Sequence, residues 1–420
     1  MFKELDDQLV GCMKCGMCQA VCPVFEQTGR EADVTRGKLA LLDGIAKEML
    51  TDPKGVKEKL DRCLLCGTCQ SNCPSGVSIM EIFLKARAIM TAFFGLSPAK
   101  QAIFRGLLKN PKLFNKLTDM GSLFQGAFTK KASNMLGTSC ARFNAPIIGD
   151  RHFKKLAAKP LHKRVPSRTF SSGKSGLKVA FYVGCVIDKI FPNVGEAILD
   201  VLDYYGVDVY MPPAQACCGI PALSSGDTET FDSLVGMNVQ RFQDEEFDYL
   251  ITGCATCTAT IKELWPSMYK GDSKTLVQAQ EFAGKTMDIS QFLIDVLKVS
   301  PTVVTEDGTV TYHDPCHLKN SLGITKQPRE LIKAAGHTFV EMDEAGTCCG
   351  CGGSFNIAHY DLSRKIGNKK ATNIVDSDAD IAATSCPACM LQLTDMLSQN
   401  GADMEVKHVI ELFAASKCGH

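Results

Sequence analysis

The chain has 420 residues, 45% hydrophobic and 22% charged, with 46 basic residues balanced by 46 acidic ones. This is the make-up of a globular protein with room for about three domains, and its zero net charge says nothing about nucleic-acid or membrane partners. The abnormal number is 21 cysteines. In a small secreted domain they would mean disulfides. The opening "MFKELDDQLV" lacks a signal peptide's basic region and apolar core, and no apolar run reaches the ~18 residues of a membrane span. A reduced, cytoplasmic, metal-binding protein is therefore expected.

Residues 1–90 hold eight cysteines in two dense runs. "CMKCGMCQAVCP" sets Cys12, Cys15, Cys18 and Cys22 at C-x2-C-x2-C-x3-C-P, and "CLLCGTCQSNCP" repeats this at Cys63, Cys66, Cys69 and Cys73. The spacing resembles the cluster-binding run of bacterial ferredoxins, in which the fourth cysteine serves the other cluster. It assigns one cubane [4Fe–4S] cluster to Cys12, Cys15, Cys18 and Cys73, and a second to Cys63, Cys66, Cys69 and Cys22. A zinc site has no use for the extra cysteine in each run. Pro23 and Pro74 turn the chain away after the last ligands. Between the runs, "VTRGKLALLDGIAKEML" puts Leu39, Leu42, Ile45, Ala46 and Met49 on one helical stripe, expected to be core. The head is thus an α-helical two-cluster domain suited to passing single electrons, with nothing suited to making bonds.

Residues 91–176 have a basic bias. From Lys100 to Gly176 there are 16 Lys and Arg against two acids, Asp119 and Asp150. Phe104, Phe114, Phe124 and Phe128 are interleaved with the basic residues. The pattern suits a membrane-surface helix or a docking surface for an acidic partner, or a solvated linker with a packing helix. No stacking motif, zinc-finger spacing or recognition helix points to nucleic acid.

Residues 177–420 contain a repeat. Cys185 is followed after 31 residues by Cys217-Cys218-Gly219, and 35 residues later by Cys254-x-x-Cys257. Cys316 is followed after 31 residues by Cys348-Cys349-Gly350, and 36 residues later by Cys386-x-x-Cys389. Gaps matched to within one residue indicate a duplicated domain, with copies expected at 177–300 and 301–420. In each copy short apolar strands alternate with amphipathic helices: "LKVAFYVGC", "VGEAILDVLDYYG", "VDVYMPP", a helix near 227–245 and "FDYLITGC". Copy two has "GTVTYHDPC", "QPRELIKAAG", "HTFVEMD", a helix near 361–376 and "DIAATSC". This predicts parallel α/β units with the thiols at the carboxyl ends of strands, five around one crevice in each copy. The fold class is therefore α+β multidomain, an α-helical ferredoxin head followed by a duplicated α/β cysteine-rich domain. The glycines of "GTCCGCGG" are expected to let the backbone approach a bulky inorganic core. His313, Asp314 and His317 surround Cys316. His313 and His317 are candidates for a proton relay, or cap the strand and hydrogen-bond cluster sulfurs. No G-x-G-x-x-G follows a strand and no P-loop is present, so the substrate-oxidising flavin is expected on another chain.

The head, with "LDRCLLCGTCQSNCPSGV", resembles the iron–sulfur subunit of bacterial glycolate and lactate oxidases, and similar heads occur in the anaerobic glycerol-3-phosphate dehydrogenase small subunit. The tail, with "GCVIDKIFPNVGEAILDVL", "CCGIPALSSGD" and "HDPCHL", resembles the cysteine-rich CCG domains of lactate-utilisation proteins and of heterodisulfide reductase catalytic subunits. The resemblance implies a non-cubane [4Fe–4S] cluster on each complete set: Cys185, Cys217, Cys218, Cys254 and Cys257 in one, Cys316, Cys348, Cys349, Cys386 and Cys389 in the other. One or two such clusters are expected, with zinc or an empty repeat as the alternative. Glycolate oxidase subunits often have incomplete repeats; both are complete here, which leans toward the reductase-like and lactate-utilisation members. Cys140, Cys351 and Cys418 are left over. Cys351, with no cysteine counterpart near Pro221 in the first repeat, is expected beside a cluster without ligating it.

The function implied is an electron-transfer subunit of a flavin-linked 2-hydroxyacid (lactate or glycolate) dehydrogenase, not catalytic alone. It would take electrons from an FAD-containing partner and pass them to a quinone or another electron-transfer protein. A cytoplasmic place is implied, with peripheral attachment to the inner membrane face left open. The alternatives are a heterodisulfide reductase-type catalyst and a zinc-stabilised scaffold.

Overall fold

The computed structural model describes residues 2, 5–143, 149–170, 173–300, 308–402 and 404–419. The head is helical. Thr35–Ala46, Pro53–Asp61 and Ile79–Phe94 pack together behind the two cysteine loops. Leu39, Leu42 and Ile45 are buried as expected, whereas Met49 is 67% exposed. The helix ends at Ala46, and the N–H groups of Met49 and Leu50 both turn back to the Gly44 carbonyl. Met49 therefore leaves the stripe, and the Leu50 side chain lies against Gly44, 2.7 Å from where a Cβ would stand.

The basic region forms helix Pro111–Phe128 and then an antiparallel hairpin of β1 (Thr129–Ser133) and β2 (Thr138–Ala141). The hairpin was not anticipated: a five-residue strand with two lysines lacks an apolar alternation, and its turn closes through Gly137 at φ +58°.

Two four-stranded parallel sheets follow. The first contains β3 (Lys178–Phe181), β4 (Asp208–Tyr210), β5 (Tyr249–Thr252) and β6 (Thr286–Asp288), in the order β4-β3-β5-β6. The second contains β7 (Thr309–Tyr312), β8 (Thr338–Phe339), β9 (Ile381–Thr384) and β10 (Glu405–His408), in the equivalent order β8-β7-β9-β10. All strand pairs within them are parallel. In β3, β5, β7 and β9 three consecutive residues are buried, as expected of strands covered on both faces. The fourth strands β6 and β10 are an addition to the sequence reading, and β8 is reduced to two residues. The expected boundary at 300/301 abuts residues 301–307, which lie outside the described residues.

The repeats pack on each other. Helix Pro192–Tyr204 of the first lies along helix Val409–Cys418 of the second. The Ala255 N–H donates to the Ser385 carbonyl, joining the two Cys-x-x-Cys loops directly. The head sits on both repeats. The buried Arg87 guanidinium donates to the carbonyls of Leu60, Cys63 and Ser224, at 2.7, 2.9 and 2.8 Å.

Candidate metal centre

Each cysteine run of the head curls through two left-handed residues at matching positions. Lys14 and Gly16 (φ +59° and +87°) flank Cys15, and Leu65 and Gly67 (φ +54° and +72°) flank Cys66. The curl wraps three thiols around a hollow, and in the second run it brings the Leu65 N–H to the Cys63 sulfur at 3.5 Å. Cys12, Cys15 and Cys18 line one hollow together with Cys73. Cys63, Cys66 and Cys69 line the other together with Cys22. Cys69 borders both. Cys22 caps helix Pro23–Thr28, its sulfur accepting the Phe25 N–H at 3.5 Å, so Pro23 starts that helix. Arg36 borders the first hollow and the buried Lys38 the second. Burial pushes the Lys38 ammonium below its usual range while the neighbouring Cys63 and Cys22 draw it back up. Burial raises the Cys22 thiol to about 11.

In the repeats the cysteines follow the carboxyl ends of strands: Cys185 after β3, Cys217 and Cys218 after β4, Cys254 and Cys257 after β5, with Cys316, Cys348, Cys349, Cys386 and Cys389 matching after β7, β8 and β9. Instead of two separate crevices, all ten line one shared cavity of about 220 Å³, with Cys351 and, from the head, Leu64 and Leu65. Within it the thiols follow one another in succession. Cys185 lies 4.0 Å from Cys217. Beyond that pair, neighbouring thiols shift one another's protonation in the order Cys218, Cys257, Cys254, Cys386 of the second repeat, Cys389, Cys349, Cys348 and Cys316. Cys348 likewise raises Cys66 of the head. Hydrogen bonds received from their neighbours hold Cys218, Cys349 and Cys386 well below the usual thiol range.

Residues that sequence reasoning did not single out fix the paired cysteines. Asn238, fully buried, accepts the Ala216 N–H at 3.0 Å and donates to the Cys217 carbonyl at 3.0 Å. Trp265 Nε1 donates to the Cys218 carbonyl at 2.9 Å. It is the only tryptophan in the chain, and that rarity was the one available signal. In the second repeat Ser363 Oγ donates to the Gly350 carbonyl at 2.7 Å. The residue after the first pair's glycine is Ile220 rather than Pro221, so Ile220 is the counterpart of Cys351.

His313 follows β7 where Tyr182 follows β3. Its ring is fully buried with neither nitrogen partnered, and a ring nitrogen lies within 4.8 Å of the Cys349 and Cys389 sulfurs. Burial drops its pKa to about 3, so it offers a neutral ring with one N–H. Asp314 is engaged by Arg329 at 2.7 and 2.8 Å. His317 joins Thr256 Oγ1 (3.1 Å) to the Leu65 carbonyl (3.2 Å), linking head and repeats. Cys140 lies in β2 and Cys418 ends the last helix. All 21 cysteines are free thiols. Soft thiols in this number, with an orphaned imidazole N–H beside them, fit iron–sulfur clusters better than any tetrahedral zinc site.

Comparison with known proteins agrees. A family described as "4Fe-4S dicluster domain" matches residues 8–77, and one described as "Cysteine-rich domain" matches 179–262 and 310–394. The chain is 29% identical to the probable glycolate oxidase iron–sulfur subunit of Bacillus subtilis (strain 168), over 97% of this chain and 94% of that protein. It is 32% identical to lactate utilization protein A of Bacillus cytotoxicus, over 56% of this chain and 98% of that protein. It is 28% identical to a subunit of the fumarate reductase (CoM/CoB) of Methanothermobacter marburgensis, over 96% of this chain and 72% of that protein. A crystal structure of a hypothetical protein from Helicobacter pylori shares the fold, with a TM-score of 0.52 and 9% identity, over 92% of this chain and 68% of that one.

Proposed function

The chain belongs to the family of glycolate oxidase and lactate-utilisation iron–sulfur subunits, and from that premise we propose that it is the electron-transfer subunit of a flavin-linked 2-hydroxyacid dehydrogenase. Bound iron–sulfur clusters supply one-electron storage and transfer. The chain holds and tunes them. The head thiols bind two cubane clusters in the crossed sets Cys12, Cys15, Cys18, Cys73 and Cys63, Cys66, Cys69, Cys22. Each five-cysteine set binds a non-cubane cluster, with Cys351 beside the second as a bystander. Arg36 and Lys38 offset negative charge at the head, and His313 offers its N–H to a sulfur of the second repeat.

The observation that carries this reading is the convergence of all ten repeat cysteines on one cavity that Leu64 and Leu65 of the head also line, with Cys66 of the head shifted by Cys348 of the second repeat. Cys15, exposed on the head, marks the entry side, where the FAD-bearing partner docks. The stripe Leu113, Leu117, Met120, Phe124 and Phe128 stands exposed on helix Pro111–Phe128 beside Lys112 and Lys116. Its apolar face and basic flank suit an anionic membrane surface. Among the described residues no helix is long and apolar enough to cross a membrane.

The test is anaerobic purification, iron and sulfide analysis, and addition of the partner flavoprotein with lactate or glycolate. Bleaching of the cluster absorbance is expected only with both partner and substrate. Near-zero iron, or no bleaching with a competent flavoprotein, would sink the reading. A second reading, reduction of a disulfide between the two repeats, is favoured by the shared cavity. Disulfide turnover with an artificial donor and no flavoprotein would select it.

A further inference from the structure

A second cavity of about 210 Å³ lies at the far end of the thiol succession, lined by Cys185 and Cys217. Its other walls come from the basic region and the first repeat: Leu108, Pro111, Phe114, Leu161, Val165 and Met211. One side is polar. There His162, Asp188 and Lys189 form a connected group. The His162 Nδ1 lies 2.9 Å from Asp188 Oδ1, and the Lys189 ammonium contacts Asp188 and donates to Asn115 Oδ1 at 2.7 Å. On its other edge His162 faces Asp119, 3.8 Å away, which is paired at 2.6 Å with the exposed Lys163. Exposed Ser167 borders the cavity and opens it to solvent.

We propose that this cavity is the electron-acceptor site and takes the ring of a quinone; the proposal rests on the reading that electrons enter at the head. Three features select that chemistry. The volume exceeds the ~150 Å³ that holds a benzene ring, so a substituted or bicyclic ring fits. The walls are mainly apolar, and the one buried cation, Lys189, is already matched by Asp188, which disfavours a small carboxylate such as a 2-hydroxyacid. A quinone needs electrons and protons at one place, and this cavity adjoins Cys185 and Cys217, opens to solvent beside Ser167, and holds His162 hydrogen-bonded to Asp188, with Asp119 and the exposed Lys163 on its outer side. The reaction balances as 2-hydroxyacid plus quinone giving 2-oxoacid plus quinol. Two electrons come from the acid oxidised on the partner flavoprotein, and two protons come from solvent at the Ser167 edge of the cavity to the two quinone oxygens, with His162 and its carboxylate neighbours Asp188 and Asp119 positioned beside that edge. Residues 108–115, which wall the cavity, continue into the exposed stripe of helix Pro111–Phe128, so a membrane-dissolved ligand and its site share one element.

The test uses the full chain, anaerobically purified and cluster-loaded, titrated calorimetrically with 2-methyl-1,4-naphthoquinone in the absence of any reductant. One saturable site is expected. Val165→Trp and Ser167→Trp, which fill the cavity, should each weaken binding at least tenfold with cluster absorbance unchanged. His162→Gln should keep affinity within threefold but slow reoxidation of reduced protein by the quinone at least tenfold. An azidonaphthoquinone photolabel on the wild type should fall on residues 108–115 or 161–167. Absence of saturable binding, labelling elsewhere, equal affinity in the filled variants, or binding of lactate in the quinone's place would overturn the proposal. If the flavoprotein still bleaches the clusters while no quinone binds, only the acceptor site falls. If the quinone binds but lactate and glycolate bleach nothing through the flavoprotein, the dehydrogenase reading is what fails.

Discussion

Gly219 and Gly350 adopt φ of +97° and +86° directly after the paired cysteines, a region that favours glycine. A Cβ at Gly350 would stand 2.7 Å from the Ser363 carbonyl oxygen, and one at Gly219 2.6 Å from a Phe231 ring carbon. The sequence suggested that Gly350, in "GTCCGCGG", lets the backbone approach an inorganic core. The structure shows that the crowding lies behind both glycines, against the following helices. Gly350→Ala should therefore cost about 2–3 kcal/mol and lower bound iron. Gly323→Asn, at φ +67° with nothing within 4 Å of a Cβ, should be tolerated to within about 1 kcal/mol; thermal melts of both variants decide. His408 is a second informative residue. Fully buried at the end of β10, it accepts the Ile410 N–H at Nδ1 (3.2 Å) and donates from Nε2 to the Gly253 carbonyl (2.9 Å). Both nitrogens are satisfied only in the neutral ring, and burial lowers its pKa to about 4. Between the unfolded value near 6.5 and about 4 the unfolded state binds the extra proton. Stability from this group is thus complete above about pH 6.5 and lost as pH falls toward 4, by at most about 1.4 kcal/mol per pH unit. Denaturant midpoints should fall over that window in the wild type and less steeply in His408→Asn.

At the scale of elements, legibility followed burial. Strands β3, β5, β7 and β9 were readable because three buried residues in a row leave an apolar run bounded by turn residues. Strands β6 and β10 were not, since "TMD" and "EVKH" are short and polar and leave no apolar run. The helix over Pro111–Phe128 could be read as amphipathic, but not which face would be covered. Phe114 turns inward to the second cavity, whereas Leu123 and Phe124 stand 76% and 62% exposed. That exposed face gives a direct expectation. The wild type should sediment with anionic phosphatidylglycerol vesicles and much less with phosphatidylcholine ones, with binding weakened by salt. Leu123→Asp combined with Phe124→Asp should reduce sedimentation at least tenfold while leaving iron content unchanged. Equal sedimentation of variant and wild type would assign the stripe to a protein partner.

Across the whole molecule, the ligand types and their spacing were visible in the sequence, whereas their convergence was not. Nothing in the register of either repeat reveals that the two Cys-x-x-Cys loops meet through the Ala255–Ser385 hydrogen bond, or that Cys66 reaches Cys348. The approach of Cys66 to Cys348 depends on the head docking against the repeats, to which the buried Arg87 contributes by bonding the Leu60 and Cys63 carbonyls of the head and the Ser224 carbonyl of the first repeat. Hydrogen bonds to a charged group contribute about 1.5–3 kcal/mol each, so Arg87→Met should destabilise by about 3 kcal/mol or more and loosen the head first, visible as local loss of hydrogen-exchange protection. The same convergence governs the metal-free protein. Burial raises the Cys22 thiol to about 11, and contact with a neighbouring thiol together with burial keeps Cys66, Cys185 and Cys316 well above their usual range; Cys218, Cys349 and Cys386 shift the other way and offset part of this. For the raised thiols the folded state keeps protons that the unfolded chain releases near pH 8.5–9. Stability of the iron-stripped chain should accordingly fall as pH rises from about 9 toward 11. The loaded protein should stay level over that range, because thiolates bound to iron no longer titrate. Because head and repeats share one continuous hydrophobic core, chelating the iron should bring head and repeats down in a single melting transition. Two resolved transitions after iron removal, or equal alkaline loss with iron bound, would show that the head and the repeats are stabilised independently.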